Sequence, residues 1–329
     1  MIRTGIVAIG RNEGERLRKC LESVDPKSRP VVYVDSGSTD GSVDLARSFG
    51  AEVVELDMSI PFTAARARNE GFARLERMSP DLEYIQFVDG DCEVVAGWLA
   101  RAEGELDGDP SVGAVCGRRR ERFPERSTFN RLCDVEWDTP IGDNRSCGGD
   151  ATMRRIAVDG VRGYNPTIIA GEDDEICVRL RRAGWKIRRV DAEMTIHDAA
   201  IDRLSQWWRR AVRCGYAYSL GFSMYGSAPE NHFRRERVRL LVWGFLIPMC
   251  LLLLAVPTYG ISLLGFAVYP LQMVRIARYA RGRHRLNRRD SIAWGANCMM
   301  SKFPEFVGFC RFEYNRTLRK KATIIEYKN

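Results

Sequence analysis

The stretch YIQFVDGDCEVVAGW (84–98) joins an apolar run to three acids. The apolar residues before Asp89 are typical of a buried strand. Asp89, Asp91 and Glu93 follow within five residues, and Gly90 permits a tight turn between the first two. Carboxylates two residues apart can point into one crevice, where their oxygens suit Mg²⁺ or Mn²⁺. The alternative is a solvated loop whose acids cap the next helix.

On both sides of this stretch, short apolar runs alternate with amphipathic segments over the first 120 residues. This alternation predicts a mostly parallel α/β sheet with helices on both faces. In such sheets ligands bind beyond the carboxyl ends of the strands. The predicted strands are Gly5–Ile9, Pro30–Val34, Glu52–Leu56, Tyr84–Val88 and Gly113–Cys116, and the predicted helices are Glu13–Ser23, Asp40–Phe49, Thr63–Arg77 and Ala96–Asp107.

Two further polar clusters supply candidate contacts, one after the second predicted strand and one on the first turns of a predicted helix. In VDSGSTDG (34–41), the Asp35 carboxylate can accept an N–H of a nucleobase, while Gly37 and Ser38 let the base approach closely. In ARARNEG (65–71), the guanidinium groups of Arg66 and Arg68 can hold a diphosphate. Helix capping and a solvated helical face are the alternatives for these two clusters.

Later segments supply candidates for catalysis. Glu172–Glu175 places four acids in the first turn of a predicted helix, more than the helix dipole requires, so one of them is a candidate general base. His197 follows a short predicted strand and is a candidate third metal ligand, the alternative being a structural histidine. Arg209 and Arg210 can neutralise a leaving diphosphate. Residues 118–150 are basic and turn-rich, which predicts a surface excursion.

The C-terminal third has a different character. Leu240–Val274 contains 35 residues without a charge, and the PTYG at 257–260 predicts a fold-back between two apolar segments. Arginines flank the run on both sides, which predicts a membrane-associated helical hairpin with both ends on the cytoplasmic side. A pair of buried helices in a soluble domain is the alternative. The predicted division is a catalytic domain over 1–225, the hairpin over 226–290 and a basic tail over 291–329.

Charge and cysteine content limit the classes of partner and site. The net charge of +8 and the pI of about 9.0 indicate an anionic partner, and the flanking arginines favour a lipid surface over nucleic acid. The ten cysteines show no CxxC spacing, which argues against a zinc knuckle or a thioredoxin-like motif. The N-terminus lacks the apolar segment of a signal peptide, so we expect a cytoplasmic catalytic domain with buried free thiols.

The order of these motifs resembles the inverting family 2 glycosyltransferases of the GT-A fold. The resemblance covers about residues 4 to 220. It rests on VAIGRNE, VDSGSTDG, AARARNEG, FVDGDCEVVAGWL, GEDDEICVRL and QWWRR.

The resemblance implies a Rossmann-like sheet and a role for each matching position. Ile9, Arg11, Asn12 and Glu13, together with Asp35, correspond to the nucleotide pocket. Arg68 and Asp89 correspond to further nucleotide contacts, and Asp91 corresponds to the metal ligand. Asp173 corresponds to the catalytic base, with Glu172 beside it. Gln206 and Arg209 correspond to the Q-x-x-R-W element near the diphosphate and acceptor.

Three positions depart from the family pattern. Arg210 stands where the Q-x-x-R-W element has its tryptophan, which weakens an analogy with processive synthases. The first strand lacks the proline often found before the asparagine–glutamate pair. The four adjacent acids leave the identity of the base open by one position.

Together these observations predict a metal-dependent glycosyltransferase of the hexosyltransferase type, using Mn²⁺ or Mg²⁺. It would transfer a sugar from a nucleoside-diphosphate sugar, with inversion, to a lipid-linked glycan or an envelope polysaccharide precursor. The alternatives are a sugar-phosphate nucleotidyltransferase and a non-catalytic, membrane-docked sugar-nucleotide-binding scaffold. The first strand is not followed by a glycine-rich, lysine-containing loop, which disfavours the nucleotidyltransferase.

Overall fold

A computed structural model describes residues 2–320, 323 and 325 of the chain. The chain folds into two compact units. The first comprises Met1–Arg122 and Glu136–Ala199, and the second comprises Phe123–Val135 and Ala200–Asn329.

The first unit is built on one sheet, whose strands follow the order β3-β2-β1-β4-β8-β6-β9-β5, with β7 pairing to β9. β1 is buried along almost its whole length, as expected for a strand covered on both faces. The strands are β1 (Thr4–Gly10), β2 (Val31–Asp35), β3 (Glu52–Glu55), β4 (Tyr84–Asp89), β5 (Cys92–Val94), β6 (Val112–Glu121), β7 (Gly142–Asn144), β8 (Ala151–Arg154) and β9 (Lys186–His197).

The sheet is mixed, which corrects the prediction of a mostly parallel one. β3, β2, β1 and β4 are parallel, and so are β6 and β9, but β8 runs antiparallel to both of its neighbours, β4 and β6. The chain enters β8 at Asp150, beside the carboxyl end of β4, because the backbone N–H of Asp89 donates to Asp150 Oδ1 at 3.1 Å. A strand that begins at this edge must run back through the sheet in the opposite direction.

Helices complete the first unit. α3 packs against β1 and β2, and α4 packs against β6. Gly71 lets α3 approach the sheet, because a Cβ at this position would collide with Val7 on β1. The helices in this part of the chain are α1 (Glu15–Val24), α2 (Ser42–Ser48), α3 (Ala64–Met78), α4 (Trp98–Gly108), α5 (Thr128–Glu136), α6 (Arg155–Gly160) and α7 (Glu172–Arg182), of which α5 belongs almost wholly to the second unit.

The basic segment predicted as a surface excursion is more ordered than its composition indicates. β6 extends to Glu121, well beyond the predicted end at Cys116, and α5 and β7 lie within residues 118–150. The arginines from Arg118 to Arg120 continue the strand because it pairs with β9 as far as His197. Pairing with a neighbouring strand has overridden the local composition.

The second unit is helical. α8 packs lengthwise on α13, and α11 packs on α12. The α8–α13 contact is close because a Cβ on Gly215 or Gly308 would collide with the backbone of the opposite helix. The helices are α8 (Leu204–Tyr225), α9 (Arg234–Leu241), a π-helical turn (Val242–Leu246), α10 (Ile247–Leu253), a 3₁₀ helix (Ile261–Ala267), α11 (Val268–Arg283), α12 (Arg288–Met300) and α13 (Lys302–Thr317).

The chargeless run folds back on itself, as the PTYG segment predicts. Residues 254–260 form the turn, and Ser262 Oγ donates to the carbonyl of Leu251 at 2.8 Å across it. Among the helices of residues 2–320, none is both long enough and apolar enough to cross a bilayer.

The predicted domain limits differ from the observed units. The predicted break after residue 225 lies inside the second unit, because α8 packs on α13. The predicted basic tail, 291–329, contains most of α12 and all of α13. Residues 321, 322, 324 and 326–329 of that tail lie outside the described part of the chain.

Candidate active site

Asp91 and His197 meet at the end of the sheet. Asp91 follows the β4 turn, and His197 is the last residue of β9, which pairs with β5 at Cys92. His197 Nε2 lies 3.2 Å from Asp91 Oδ2, and both side chains are buried. The ring of Trp137 covers the imidazole edge-on, with ring centroids 5.1 Å apart. The structure therefore brings together the two residues predicted from the sequence as metal ligands.

The donor set at this position suits a divalent cation. Ligand atoms of Asp91, Cys92 and His197 all lie within 4.8 Å of one another, and Asp89, Cys92 and Asp150 form a second such group. Two buried atoms, a carboxylate oxygen and an imidazole nitrogen 3.2 Å apart, can share one ion at ordinary bond lengths. Mixed oxygen and nitrogen ligands fit Mn²⁺ better than Mg²⁺, which prefers oxygen alone.

Asp150 and Arg119 form a buried pair next to this group, and the sequence reasoning missed both. Arg119 Nη2 lies 2.8 Å from Asp150 Oδ2 and 3.6 Å from Asp89 Oδ2. The hydroxyl of Thr195 donates to Asp150 at 2.7 Å. Burial alone would raise the pKa of Asp150, but Arg119 and the Thr195 hydrogen bond keep it below the usual value. The available signal was an aspartate that follows two glycines and directly precedes Ala151–Arg154.

Arg68 connects β4 with α7. Its Nη2 lies 2.8 Å from Asp89 Oδ1, while its Nη1 lies 2.8 Å from Glu172 Oε1 and 3.2 Å from Asp173 Oδ1. The side chain is only 3% exposed. Burial disfavours the charged guanidinium, but the surrounding carboxylates outweigh it and raise the pKa of Arg68 further. Arg68, predicted from the sequence as a nucleotide contact, here orders the acids of the site.

The acids that begin α7 divide into two groups. Glu175 forms an ion pair with Arg179 at 2.7 Å, one helical turn further along. Glu172 and Asp173 instead meet Arg68, and Asp173 keeps about a quarter of its side chain exposed. Burial, together with the charge of Glu172, raises the pKa of Asp173 well above the usual value. Asp173 is thus a carboxylate of increased basicity that solvent or a substrate can reach.

The predicted nucleotide pocket lies at the ends of β1 and β2. Asp35 Oδ2 accepts the backbone N–H groups of Gly37 and Ser38 at 2.9 and 2.8 Å, and Asp35 Oδ1 accepts the hydroxyl of Tyr33 at 3.2 Å. Gly37 has φ of +82°, which favours glycine. The Asp35 carboxylate thus holds its own turn in place, and its contact with a nucleobase stays a prediction.

The loop after β1 is tied to the loop after β2. Asn12, at φ +54°, donates its backbone N–H to Ser38 Oγ at 2.9 Å, and its side-chain oxygen accepts the N–H of Thr39 at 2.7 Å. The N–H of Gly90 donates to the carbonyl of Ile9 at 2.7 Å, which joins this loop to the β4 turn. Nearby, Glu13 pairs with Arg16 at 2.8 Å, and Arg11 is exposed.

The remaining predicted contacts are placed as follows. Arg66 lies in the first turn of α3 and donates to the carbonyl of Ile60 at 3.0 Å. Gln206 lies in the first turn of α8 and accepts the N–H groups of Asp202 and Arg203, both at 3.0 Å. Arg209 and Arg210 follow on α8 in the second unit, where Arg209 is exposed. The roles of these four residues stay predictions.

This chain is similar in sequence to known glycosyltransferases. Residues 6–150 match the family model described as Glycosyl transferase family 2. Glycosyltransferase AglE of Haloferax volcanii is 28% identical over 201 residues, which are 57% of this chain and 64% of AglE. Succinoglycan biosynthesis protein ExoA of Rhizobium meliloti is 27% identical over 211 residues, 60% of this chain and 64% of ExoA. The match thus spans slightly under two thirds of each of these relatives.

A solved structure shares the fold. Mannosyltransferase PcManGT from Pyrobaculum calidifontis, in complex with GDP-Man and Mn²⁺, superposes with a TM-score of 0.65 at 18% sequence identity. The superposition covers 95% of this chain and 88% of PcManGT. At this identity the likeness concerns the fold, and it agrees with a mixed sheet that carries helices on both faces.

Proposed function

We propose that this chain, whose residues 6–150 match the Glycosyl transferase family 2 model and whose fold is GT-A-like, transfers a sugar from a nucleoside-diphosphate sugar to an acceptor hydroxyl, with inversion. The observation that carries the proposal is the convergence of two groups at one edge of the sheet. The Asp91–His197 pair forms one of them. The other is the partly exposed Asp173, which Arg68 joins to Asp89.

The proposed reaction needs one base. Asp173 removes the proton of the acceptor hydroxyl, whose oxygen then forms a bond to the anomeric carbon of the sugar. The bond from that carbon to the diphosphate oxygen breaks, and its electron pair leaves with the diphosphate. Attack from the side opposite the leaving group inverts the configuration. The raised pKa of Asp173 supports this role, because a more basic carboxylate accepts the proton more readily.

The other residues bind and orient the donor. Asp91 and His197 would hold Mn²⁺ or Mg²⁺, which supplies positive charge to a bound diphosphate. The loops from Ile9 to Glu13 and around Asp35 would receive the nucleotide, while Arg209 would neutralise the leaving diphosphate. Arg68 keeps Asp89 and Asp173 at fixed positions, since it hydrogen-bonds or pairs with both.

The proposed acceptor is a lipid-linked glycan or an envelope polysaccharide precursor, presented at a membrane. The chargeless run at 240–274 and the arginines on both sides of it support this assignment. The same arginines support a membrane-associated enzyme with its catalytic domain on the cytoplasmic side.

The experiment combines calorimetry with product analysis. The full chain is titrated with Mn²⁺ and a panel of nucleoside-diphosphate sugars, and the donor that binds is then incubated with lipid-linked and soluble glycan acceptors. The expected product is a glycoside whose anomeric configuration, read by NMR, is opposite to that of the donor. Retained configuration would refute direct displacement. Binding without turnover would favour the scaffold, and consumption of a nucleoside triphosphate would favour the nucleotidyltransferase.

A further inference from the structure

The hairpin of the second unit exposes large apolar side chains at its turn. The hairpin tip, defined here as residues 252–264, includes Val256, Tyr259 and Leu264, which are 85%, 97% and 76% exposed. The base of the same hairpin is packed, since Leu240 is fully buried and Tyr269 is 5% exposed. The other exposed apolar residues of the tip are Leu252, Leu253, Leu254, Ile261 and Leu263. Apolar surface on this scale is typical of an interaction site.

Several hydroxyl and amide groups of the turn are hydrogen-bonded within the hairpin. Thr258 Oγ1 donates to the carbonyl of Leu254 at 2.6 Å and accepts the N–H of Ser262 at 3.1 Å. The N–H of Gly260 donates to the carbonyl of Ala255 at 2.7 Å. A segment that enters an apolar medium must satisfy its polar groups internally, because no water is there to do so.

Exposed arginines lie on both sides of this apolar surface. Arg235 and Arg239 of α9 precede it, and Arg275, Arg278 and Arg281 of α11 follow it. In the sequence, no acidic residue lies between positions 236 and 290. An apolar protrusion flanked by exposed arginines matches a surface that is apolar inside and anionic at its boundary.

We infer that the hairpin tip inserts into one leaflet of an anionic phospholipid bilayer, with the arginines of α9 and α11 at the head groups. The fold-back at residues 254–260 returns the chain to the side from which it came, so the tip enters one leaflet without crossing the bilayer. Tyr259 adds an amphipathic ring of the kind enriched at membrane interfaces. This inference deepens the membrane location proposed above, but it does not depend on the transfer reaction.

The test is co-sedimentation of the full chain with vesicles. One set contains phosphatidylcholine with about a third phosphatidylglycerol, and the other contains phosphatidylcholine alone. The expected result is preferential binding to the anionic vesicles, part of which is lost between about 0.1 M and 0.5 M NaCl. The double variant Val256→Asp/Leu264→Asp should bind the anionic vesicles at least about tenfold more weakly.

A matched double variant controls for added charge. Ile141 and Ile156 are 61% and 56% exposed in the first unit, so Ile141→Asp/Ile156→Asp adds the same charges elsewhere and should bind vesicles as the wild type does. Equal binding of the tip variant and the wild type would overturn the inference. A second result would also overturn it: the wild type forms an oligomer that does not bind vesicles, and the tip variant is monomeric. A second copy of the chain would then cover the tip.

Donor binding separates this inference from the proposed function. If the tip variant loses vesicle binding but keeps its affinity for the nucleoside-diphosphate sugar, the hairpin acts in docking alone. If the wild type binds vesicles yet binds no sugar nucleotide, the docking inference stands and the proposed transferase function fails.

Discussion

Arg68 lies between carboxylates of β4 and α7, and it opposes the rise in the pKa of Asp173 that burial and Glu172 cause. Glu172 and Asp173 approach one end of the guanidinium and Asp89 the other. Four acids in a row made the base ambiguous in the sequence. The partners of these acids favour Asp173 as the base, because Glu175 pairs with Arg179 while Asp173 lies beside Arg68 and is partly exposed.

Replacing Asp173 by Asn should lower the rate of transfer by about 10²-fold or more while donor affinity changes little, because the amide cannot accept the proton. Initial rates and calorimetry measure the two effects. Asp174→Asn, one position further along, is the matched control and should keep most of the activity. Near-normal transfer by the Asp173 variant would remove Asp173 as the base.

The same substitution should stabilise the ligand-free protein at neutral pH. The pKa of Asp173 is higher in the folded than in the unfolded state, so the folded state favours the protonated carboxyl group. The stability contributed by this group is therefore fully present below the unfolded pKa and is lost as pH rises through the folded pKa. Asn does not ionise, so the melting temperature of the variant should exceed that of the wild type at pH 7.5. The difference should shrink towards pH 4, about the unfolded pKa; a constant difference would contradict this account.

Asp91→Asn should weaken Mn²⁺ binding by about tenfold or more, because it removes one charge from a buried carboxylate that faces His197. Titration followed by the electron paramagnetic resonance of Mn²⁺ measures the affinity. Glu93→Gln is the matched control from the same acidic cluster, since Glu93 pairs with Arg122 at 2.5 Å. Unchanged affinity in the Asp91 variant would exclude Asp91 as a ligand.

At the scale of elements, the close packing of α3 against the sheet depends on Gly71. An added methyl group would collide with Val7 of β1, so Gly71→Ala should lower the free energy of unfolding by about 1–3 kcal/mol. Denaturant titration measures the change. Gly104 on α4 has open space around its Cα, so Gly104→Ala should be neutral or stabilising by up to about 1 kcal/mol. Equal effects at the two positions would refute the packing argument.

Several elements could be predicted from the sequence, and others could not. β1, β2 and β4 follow local apolar runs. Thr63, directly before α3, caps the helix by accepting the N–H of Arg66 at 3.0 Å. β8 was missed because only four residues, Ala151–Arg154, carry its pattern. The extension of β6 was missed because its arginines pair with a distant strand, β9, rather than following a local preference.

At the scale of the whole molecule, removal of residues 234–329 should destabilise what remains of the second unit. α8 packs on α13 through Gly215 and Gly308, and Tyr216 lies edge-on against Phe312 with ring centroids 5.6 Å apart. Without α13, this apolar face of α8 meets water. The truncated chain should aggregate or melt at a lower temperature, as light scattering and calorimetry would detect. A monomeric truncated chain of wild-type stability would contradict this expectation.

The sequence by itself determined the alternation of strands and helices in the first unit and the polar residues at the strand ends. Those features depend on hydrophobic periodicity and on turn residues, which act over a few positions. It also determined the fold-back in the chargeless run, through Pro257 and Gly260.

Only the tertiary structure decided which side chains share the site. Cys92 and His197 are paired in neighbouring strands although more than 100 positions separate them in the sequence. Asp150 lies beside Asp89 because it directly precedes the antiparallel strand β8. Arg119 contacts both Asp89 and Asp150. The physical reason is that strand order and direction depend on how distant segments pack together to bury their apolar faces, and local sequence carries little of that information.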